Sequence, residues 1–316
     1  MHEPTKDDPS PQSSVLVILG PTAVGKSNVA IEVALSLGGE IISSDSRGFF
    51  QGVDIATDKP LLASRRGVVH HLIDVVGIRG SYNAMDYRND VDRLIGEIRA
   101  RGRLPVIAGG GTLYIGAITR GIFEGPSADD AIRTELLNRP ITELRQELRR
   151  VDPITASKVH GNDRLRIVRA LEVYRLTGKP ISLLKREATP LAYHFRVFGL
   201  RRDRDDHRRA IEARVDRMLA AGLIAEVARL RDEGLCEKDQ AYLTIGVREV
   251  FSFLDGELSE EELGEMLVKR TWELARRQMA WFRKEANVEW IDVTGFSAQN
   301  VAQRIVAHVE KEGCAG

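Results

Sequence analysis

Cysteine is nearly absent from this 316-residue chain: only Cys236 and Cys314 occur, far apart and without paired spacing. That argues against a disulfide framework or a zinc site, and it fits a reducing compartment. No stretch approaches the roughly 18 consecutive apolar residues of a membrane span, so no membrane association is expected. The N-terminal MHEPTKDDPSPQSS lacks the apolar core of a secretory leader, which leaves residues 1–14 as a flexible N-terminus and points to the cytoplasm. Net charge is missing too, because 46 Lys and Arg balance 46 Asp and Glu. A neutral whole exerts no general pull on nucleic acid, so any such binding must come from a local patch. Internal repeats and low-complexity segments are absent, which removes the repeat architectures.

What is present alternates between strand and helix. Val15 to Leu19 is a continuous apolar run ending at a glycine, the pattern of a strand buried on both faces of a parallel sheet. Residues 28–37 then carry helical spacing, with Val29, Val33 and Leu37 on one stripe, and a second strand covers 40–45. Residues 71–76 read as a short strand or buried loop, 86–100 as an amphipathic helix, and 104–108 as another buried strand before Gly109-Gly110-Gly111. This is an α/β pattern, a doubly wound parallel sheet with ligands expected at the carboxyl ends of its strands, and the G-x-x-x-x-G-K-[ST] loop between its first strand and helix, at residues 20–27, makes it P-loop NTPase-like. Past Pro126 strand-like runs vanish, and 132–150 and 165–177 read as helices rich in Arg and Glu. The domains expected are therefore a core over 15–126, a helical insertion over 127–190, and a resumed core with C-terminal helices over 191–316. Within the insertion thirteen Lys/Arg face nine Asp/Glu, either a solvated helical surface or a basic patch. The strand over 195–200 returns to the parent sheet, followed by helical stretches over 205–233, broken near Gly222, and over 259–287.

The segment Gly20-Pro21-Thr22-Ala23-Val24-Gly25-Lys26-Ser27 fits G-x-x-x-x-G-K-[ST] between a buried strand and a helix. Glycine lets backbone N–H groups turn onto phosphate oxygens, and the helix presents its positive end to them. Lys26 adds a mobile charge, and the Ser27 hydroxyl is placed to ligate Mg2+. Asp45, at a strand's carboxyl end, reads as a metal ligand, a general base, or simply a turn cap. Thr112, after the glycine turn, reads either as a hydroxyl facing the same crevice or as an N-cap.

Taken in order, GPTAVGKS, IISSDS from Ile41, DIATDKP from Asp54, HHLID from His70, SYNAMDY from Ser81, GGGTLY from Gly109, PSAD from Pro126, DRLRIVRALEV from Asp163, IGVRE from Ile245 and RRQMAWFRK from Arg276 resemble the tRNA dimethylallyltransferase (tRNA isopentenyl transferase) family. The resemblance covers nearly the whole chain beyond Ser14. It implies transfer of a dimethylallyl group from dimethylallyl diphosphate to N6 of the adenosine 3′ of the anticodon, position 37, of tRNA. The loop then holds the leaving diphosphate rather than ATP. Catalytic roles fall to Lys26, Asp45, Thr112 and Arg166, with Asp45 accepting the N6 proton. Contacts with the tRNA anticodon stem-loop fall to Asp45, Ser46, Arg47, Gly48, Thr112, Arg133, Arg166, Arg169, Leu243, Arg248, Arg283 and Lys284. Salt bridges of Arg166 and Arg169 to Asp163 or Glu172 are the alternative for that pair. Trp281 and Phe282 read as core anchors, and His70 and His71 as a structural pair rather than metal ligands. The enzyme is expected to act as a monomer.

The chain departs from the family at Gly48 and Phe50, where many members have Gln and Tyr, at Val69, usually Pro, and at Asp58, usually a small residue. These changes cluster around substrate recognition. The rival functions are a prenyltransferase of free adenine nucleotide, which would not need the insertion, a small-molecule kinase, and an RNA-binding relative that has lost catalysis.

Overall fold

The computed structural model describes residues 14–313, so the expected flexible N-terminus lies, apart from Ser14, outside the described residues, as does Cys314. Two compact units divide the chain, one of residues up to Ile115 together with those from Ala192 onward, the other Gly116–Leu191.

The larger unit is built on six strands, β1 (Ser14–Leu19), β2 (Gly39–Ser43), β3 (His70–His71), β4 (Leu104–Gly109), β5 (His194–Arg201) and β6 (Val288–Asp292). All pairings are parallel, in the order β3-β2-β4-β1-β5-β6. SVLVIL lies at the centre, and every residue of it is buried, because a strand covered by helices on both faces has no side left for water. The expected strand over 71–76 reduces to the two-residue β3. The edge strand β6 is absent from the sequence reading because VEWID alternates polar and apolar side chains, and an edge position buries only part of it.

Helices α1 (Lys26–Leu37) and α2 (Ala84–Ala100) follow β1 and β3, and α3 (Thr112–Thr119) follows β4 and leaves the larger unit after Ile115. Asn83 starts α2 with a reciprocal capping box to Asp86. In the smaller unit, α4 (Asp130–Asn138), α5 (Ile141–Val151), α6 (Pro153–Lys158), α7 (Arg164–Thr177) and α8 (Ile181–Leu184) enclose a core of Leu136, Leu144, Leu148, Ile167 and Leu171. The single helix expected over 132–150 is two, because Pro140 lacks an N–H and forces Arg139 into an extended conformation, φ −85° and ψ 151°. The unit begins at Gly116, ahead of residue 127, since Phe123 packs on this core and the Leu191 N–H donates to the Ile118 carbonyl.

Back in the larger unit come α9 (Arg204–Ala220), α10 (Leu223–Asp232), α11 (Val247–Leu254), α12 (Glu260–Phe282) and α13 (Ala298–Gly313). Gly222, at φ 96°, separates α9 from α10 where the sequence places the break. One core joins α1 and α13 to the sheet through Val29, Val33, Phe198, Val301 and Ile305; another joins α9 to α12 around Val215, Leu223, Val247 and Leu263. Among the described residues no helix is long and apolar enough to cross a membrane.

Candidate active site

The loop between β1 and α1 opens on a cavity of about 1330 Å³, larger than the usual range for a single small ligand and walled entirely by residues of the larger unit. Gly25 occupies the N-cap of α1 at φ 98°, a left-handed conformation that a side chain would resist. The helix carries no side-chain cap and no acid in its first turn, so its leading N–H groups remain available to an anion. Thr22, Ala23, Gly25, Lys26 and Ser27 line the cavity, whereas Val24 is buried in the core and does not. Gly20 and Pro21 do not line the cavity; the Pro21 carbonyl accepts from Lys26 Nζ at 2.7 Å. Desolvation lowers the Lys26 pKa to about 8, opposed by the charge of Asp45 and reinforced by that of Arg214. The Ser27 hydroxyl is exposed and makes no hydrogen bond with another described residue.

Asp45 follows β2 and is exposed on the same cavity. Its Oδ1 accepts the Arg47 N–H at 3.0 Å, and its carbonyl accepts the Gly48 N–H at 3.2 Å, so a tight turn fixes the carboxylate at the strand end. The glycine turn after β4 presses against this strand: a Cβ at Gly109 would lie 2.4 Å from the Ser44 carbonyl, and one at Gly111 2.6 Å from it. That contact delivers Thr112 to the cavity wall. Thr112 is the first residue of α3, and Gly111 supplies the carbonyl that accepts from Ile115, so the N-cap reading of Thr112 does not hold. Its hydroxyl makes no hydrogen bond with another described residue.

Charge is concentrated where the overall composition hides it. The cavity wall carries Lys26, Arg47, Lys59, Arg202, Arg214, Arg217 and Arg277, against only two carboxylates, Asp45 and Asp58. Arg214 is absent from the sequence reading because α9 holds many arginines, most of them solvated. The signal was its phase: it falls on the stripe of His207, Ile211, Val215 and Met218, which are all buried, and its side chain is only 16% exposed. Lys59 is held by Asp54 and Asp74 at 2.7 and 2.6 Å and braces the wall.

Two family departures separate in space. Phe50 is buried and packs in the core of α9 and α10, away from the cavity, so a hydroxyl there would not face a ligand. Gly48 does line the cavity. Across from it Arg47 donates to the Gln240 carbonyl at 2.7 Å, and the Gln240 side chain accepts the Tyr82 N–H at 3.2 Å.

Ser46 and Leu243 also line the cavity, Leu243 with 56% of its surface exposed. Arg248, Arg283 and Lys284 are exposed but do not line it. Phe282 is fully buried against Leu19 and Ile115, with Trp281 beside it. His70 hydrogen-bonds the Val68 carbonyl and His71 the Glu40 carboxylate, and no group of three metal-ligating side chains exists among the described residues.

In the smaller unit Arg133 and Arg169 both engage Glu172, at 3.0 and 2.6 Å. Burial pushes the Glu172 pKa up, but the two guanidiniums and the Asp129 N–H outweigh it and leave the carboxyl below its usual range. Arg166 lies 3.4 Å from Asp163 and is 76% exposed. Ion pairing, the alternative raised for Arg166 and Arg169, is thus present for both.

The IPP transferase family profile matches residues 48–285. A tRNA dimethylallyltransferase of Pelotomaculum thermopropionicum is 43% identical over 302 residues, covering 94% of this chain and 96% of its own length. A crystal structure of a full-length tRNA isopentenylpyrophosphate transferase from Bacillus halodurans aligns with TM-score 0.71 at 34% identity, covering 96% of this chain and 99% of its own. A eukaryotic dimethylallyltransferase captured acting on tRNA aligns with TM-score 0.79 at 27% identity, covering 93% of this chain and 78% of its own. Phosphate loop, strand-end acid and glycine-turn threonine share one cationic cavity, and with these likenesses the chain belongs to the IPP transferase family.

Proposed function

We propose that this enzyme transfers a dimethylallyl group from dimethylallyl diphosphate to N6 of the adenosine 3′ of the anticodon in tRNA, with release of diphosphate, acting as a monomer in the cytoplasm. One observation carries the reading: Asp45 shares a cavity with an uncapped phosphate loop in which cations outnumber carboxylates seven to two. That charge favours a dianionic or trianionic group, while a lone acid at the strand end offers a base to a nucleophile.

The first-turn N–H groups of α1, Lys26 and Arg214 hold the diphosphate. As its bond to the allylic carbon breaks, the electron pair passes to the diphosphate oxygen, where these groups stabilise the developing charge. The adenine N6 forms the new bond to carbon, and its proton passes to the free oxygen of Asp45. Thr112 donates to an oxygen of the diphosphate or holds the exocyclic nitrogen. The Ser27 hydroxyl, which makes no hydrogen bond with another described residue, is a hard oxygen donor of the kind Mg2+ takes when phosphate oxygens and water complete its shell, so Ser27 would hold it. Bound there, it supplies further neutralisation of the leaving group. Ala56, Ile73 and Leu274 give the same cavity apolar surface for the five-carbon chain.

The reacting adenosine must leave its stack to reach such a cavity. Ser46, Arg47, Gly48 and Leu243 meet it at the wall, and Arg133, Arg166, Arg169, Arg248, Arg283 and Lys284 contact the anticodon stem-loop. Incubation with unmodified tRNA and, separately, labelled dimethylallyl diphosphate or labelled ATP tests the reading. Label should enter tRNA from the first alone; label from ATP, or from neither, would sink it. Asp45→Ala should lower kcat by about 10²- to 10⁴-fold with RNA affinity retained.

A further inference from the structure

We infer that Gln278 and His207 are positioning residues that preset the phosphate loop by clamping one residue of it, Thr22, from both sides. The inference rests on reading the cavity as a diphosphate site and assigns how its cradle keeps its shape.

Thr22 gives neither of its backbone groups to a regular element. Its N–H donates to Gln278 Oε1 at 2.8 Å, and its carbonyl accepts from His207 Nε2 at 2.8 Å. Because a carbonyl only accepts, the His207 ring carries its proton on Nε2 in this bond. The two bonds belong to successive peptide planes, those before and after Thr22, so together they fix the chain direction entering Ala23.

That residue needs fixing. Ala23 stands at φ 60° and Gly25 at φ 98°. Left-handed backbone at a non-glycine residue is unfavourable and persists only where the surroundings hold it. Alternating right- and left-handed residues are what turn successive N–H groups to one side as an anion nest. The clamp on Thr22 is the external support for that turn.

Both side chains are themselves anchored. Gln278, on α12, donates its Nε2–H to the Gly110 carbonyl at 2.9 Å, and a Cβ on Gly110 would come within 2.6 Å of that nitrogen. A single amide therefore ties the phosphate loop to the turn that carries Thr112. His207, on α9, is buried at 7% exposure, and its ring meets Trp272 of α12 edge to face at 5.6 Å. Neither residue needs to touch the ligand to act on it.

The test uses the full chain with Gln278→Leu, His207→Leu, their double variant and His207→Gln, whose amide can still donate to Thr22. Calorimetry reads the affinity for inorganic diphosphate with Mg2+, fluorescence anisotropy the affinity for an anticodon stem-loop RNA, and thermal unfolding the stability. Each leucine variant should weaken diphosphate binding about tenfold, the scale of one or two lost hydrogen bonds, with RNA affinity unchanged. The double variant should lose no more than about the larger single loss, since both act on one residue, and His207→Gln should stay within about twofold of the unsubstituted protein. Leucine variants that bind diphosphate normally, or a His207→Gln as weak as His207→Leu, would overturn the inference. An unsubstituted protein that fails to bind diphosphate would instead overturn the functional reading beneath it.

Discussion

Arg214 and Asp58 meet at 3.1 Å on the cavity wall, and the same guanidinium donates to the Thr57 carbonyl at 3.3 Å. The chain has thus placed a carboxylate against a cation whose charge also acts on Lys26. Asp58 stands at φ 56°, a conformation that glycine takes freely. A half-exposed ion pair of this kind contributes at most about 1 kcal/mol. Asp58→Gly should therefore lower KM for dimethylallyl diphosphate by about two- to fivefold with kcat unchanged, in steady-state assays at saturating tRNA. An unchanged or raised KM would show that Arg214 does not serve the diphosphate.

The Lys26 pKa of about 8 has a consequence for the pH profile. Burial disfavours the ammonium in the free enzyme, while a bound diphosphate favours it, so binding is strong below that pKa and lost as pH rises through it. The kcat/KM for dimethylallyl diphosphate, which reports the free enzyme, should carry a falling limb centred near 8. Lys26→Arg replaces the titrating amine with a guanidinium that stays charged throughout. That variant should be less active at pH 7 and should lose the limb; a limb persisting near pH 8 would assign it to another group.

How much of this was legible in the sequence follows from how local each signal is. The central strand at 15–19 and the phosphate loop were legible because burial on both faces and a fixed glycine-lysine spacing are both written in consecutive residues. The edge strand at 288–292 was not, since half-burial leaves no continuous apolar run. The break within 132–150 is written at Pro140, whose missing N–H ends one helix before the next begins. Arg214 illustrates a different limit: its phase on α9 was readable, but only tertiary packing shows that its stripe faces a cavity. Position 50 shows the reverse, because a departure that looked chemical in sequence proves to be a core residue.

Glu226 is the clearest structural dependence of the cavity wall. Its carboxylate accepts the N–H groups of Asp54, Ile55 and Ala56 at 3.0, 2.7 and 3.0 Å, and so fixes the segment that carries Thr57, Asp58 and Lys59. Glu226→Ala removes the acceptor and strands three donors, at a cost of roughly 1 kcal/mol each, or about 3 kcal/mol in all. In a chain of this size that is a fall in Tm of about 4 to 5 °C, measurable by calorimetry or circular dichroism. A fall of less than about 2 °C would mean that water or a neighbouring side chain replaces the carboxylate at little cost.

Gly48 leaves the wall beside Asp45 without a side chain, and the Gln240 amide lines the same cavity. Its Oε1 is committed to the Tyr82 N–H, which turns the NH2 group outward, and that nitrogen makes no hydrogen bond with another described residue. An adenine presents ring nitrogens that accept such a donor, and a site built around a donor rejects a base that cannot use it. Gln240→Leu should raise KM for the tRNA about tenfold while leaving the affinity for diphosphate alone. A Cβ at position 48 would lie 3.6 Å from Asp45, an ordinary van der Waals contact, so the first atom of a side chain is accommodated there. Adding Gly48→Gln to Gln240→Leu should therefore restore most of the lost KM in a methodical comparison of the four proteins on one tRNA. Restoration without any loss in the Gln240→Leu single variant, or loss of diphosphate affinity in step with KM, would remove Gln240 from adenine recognition.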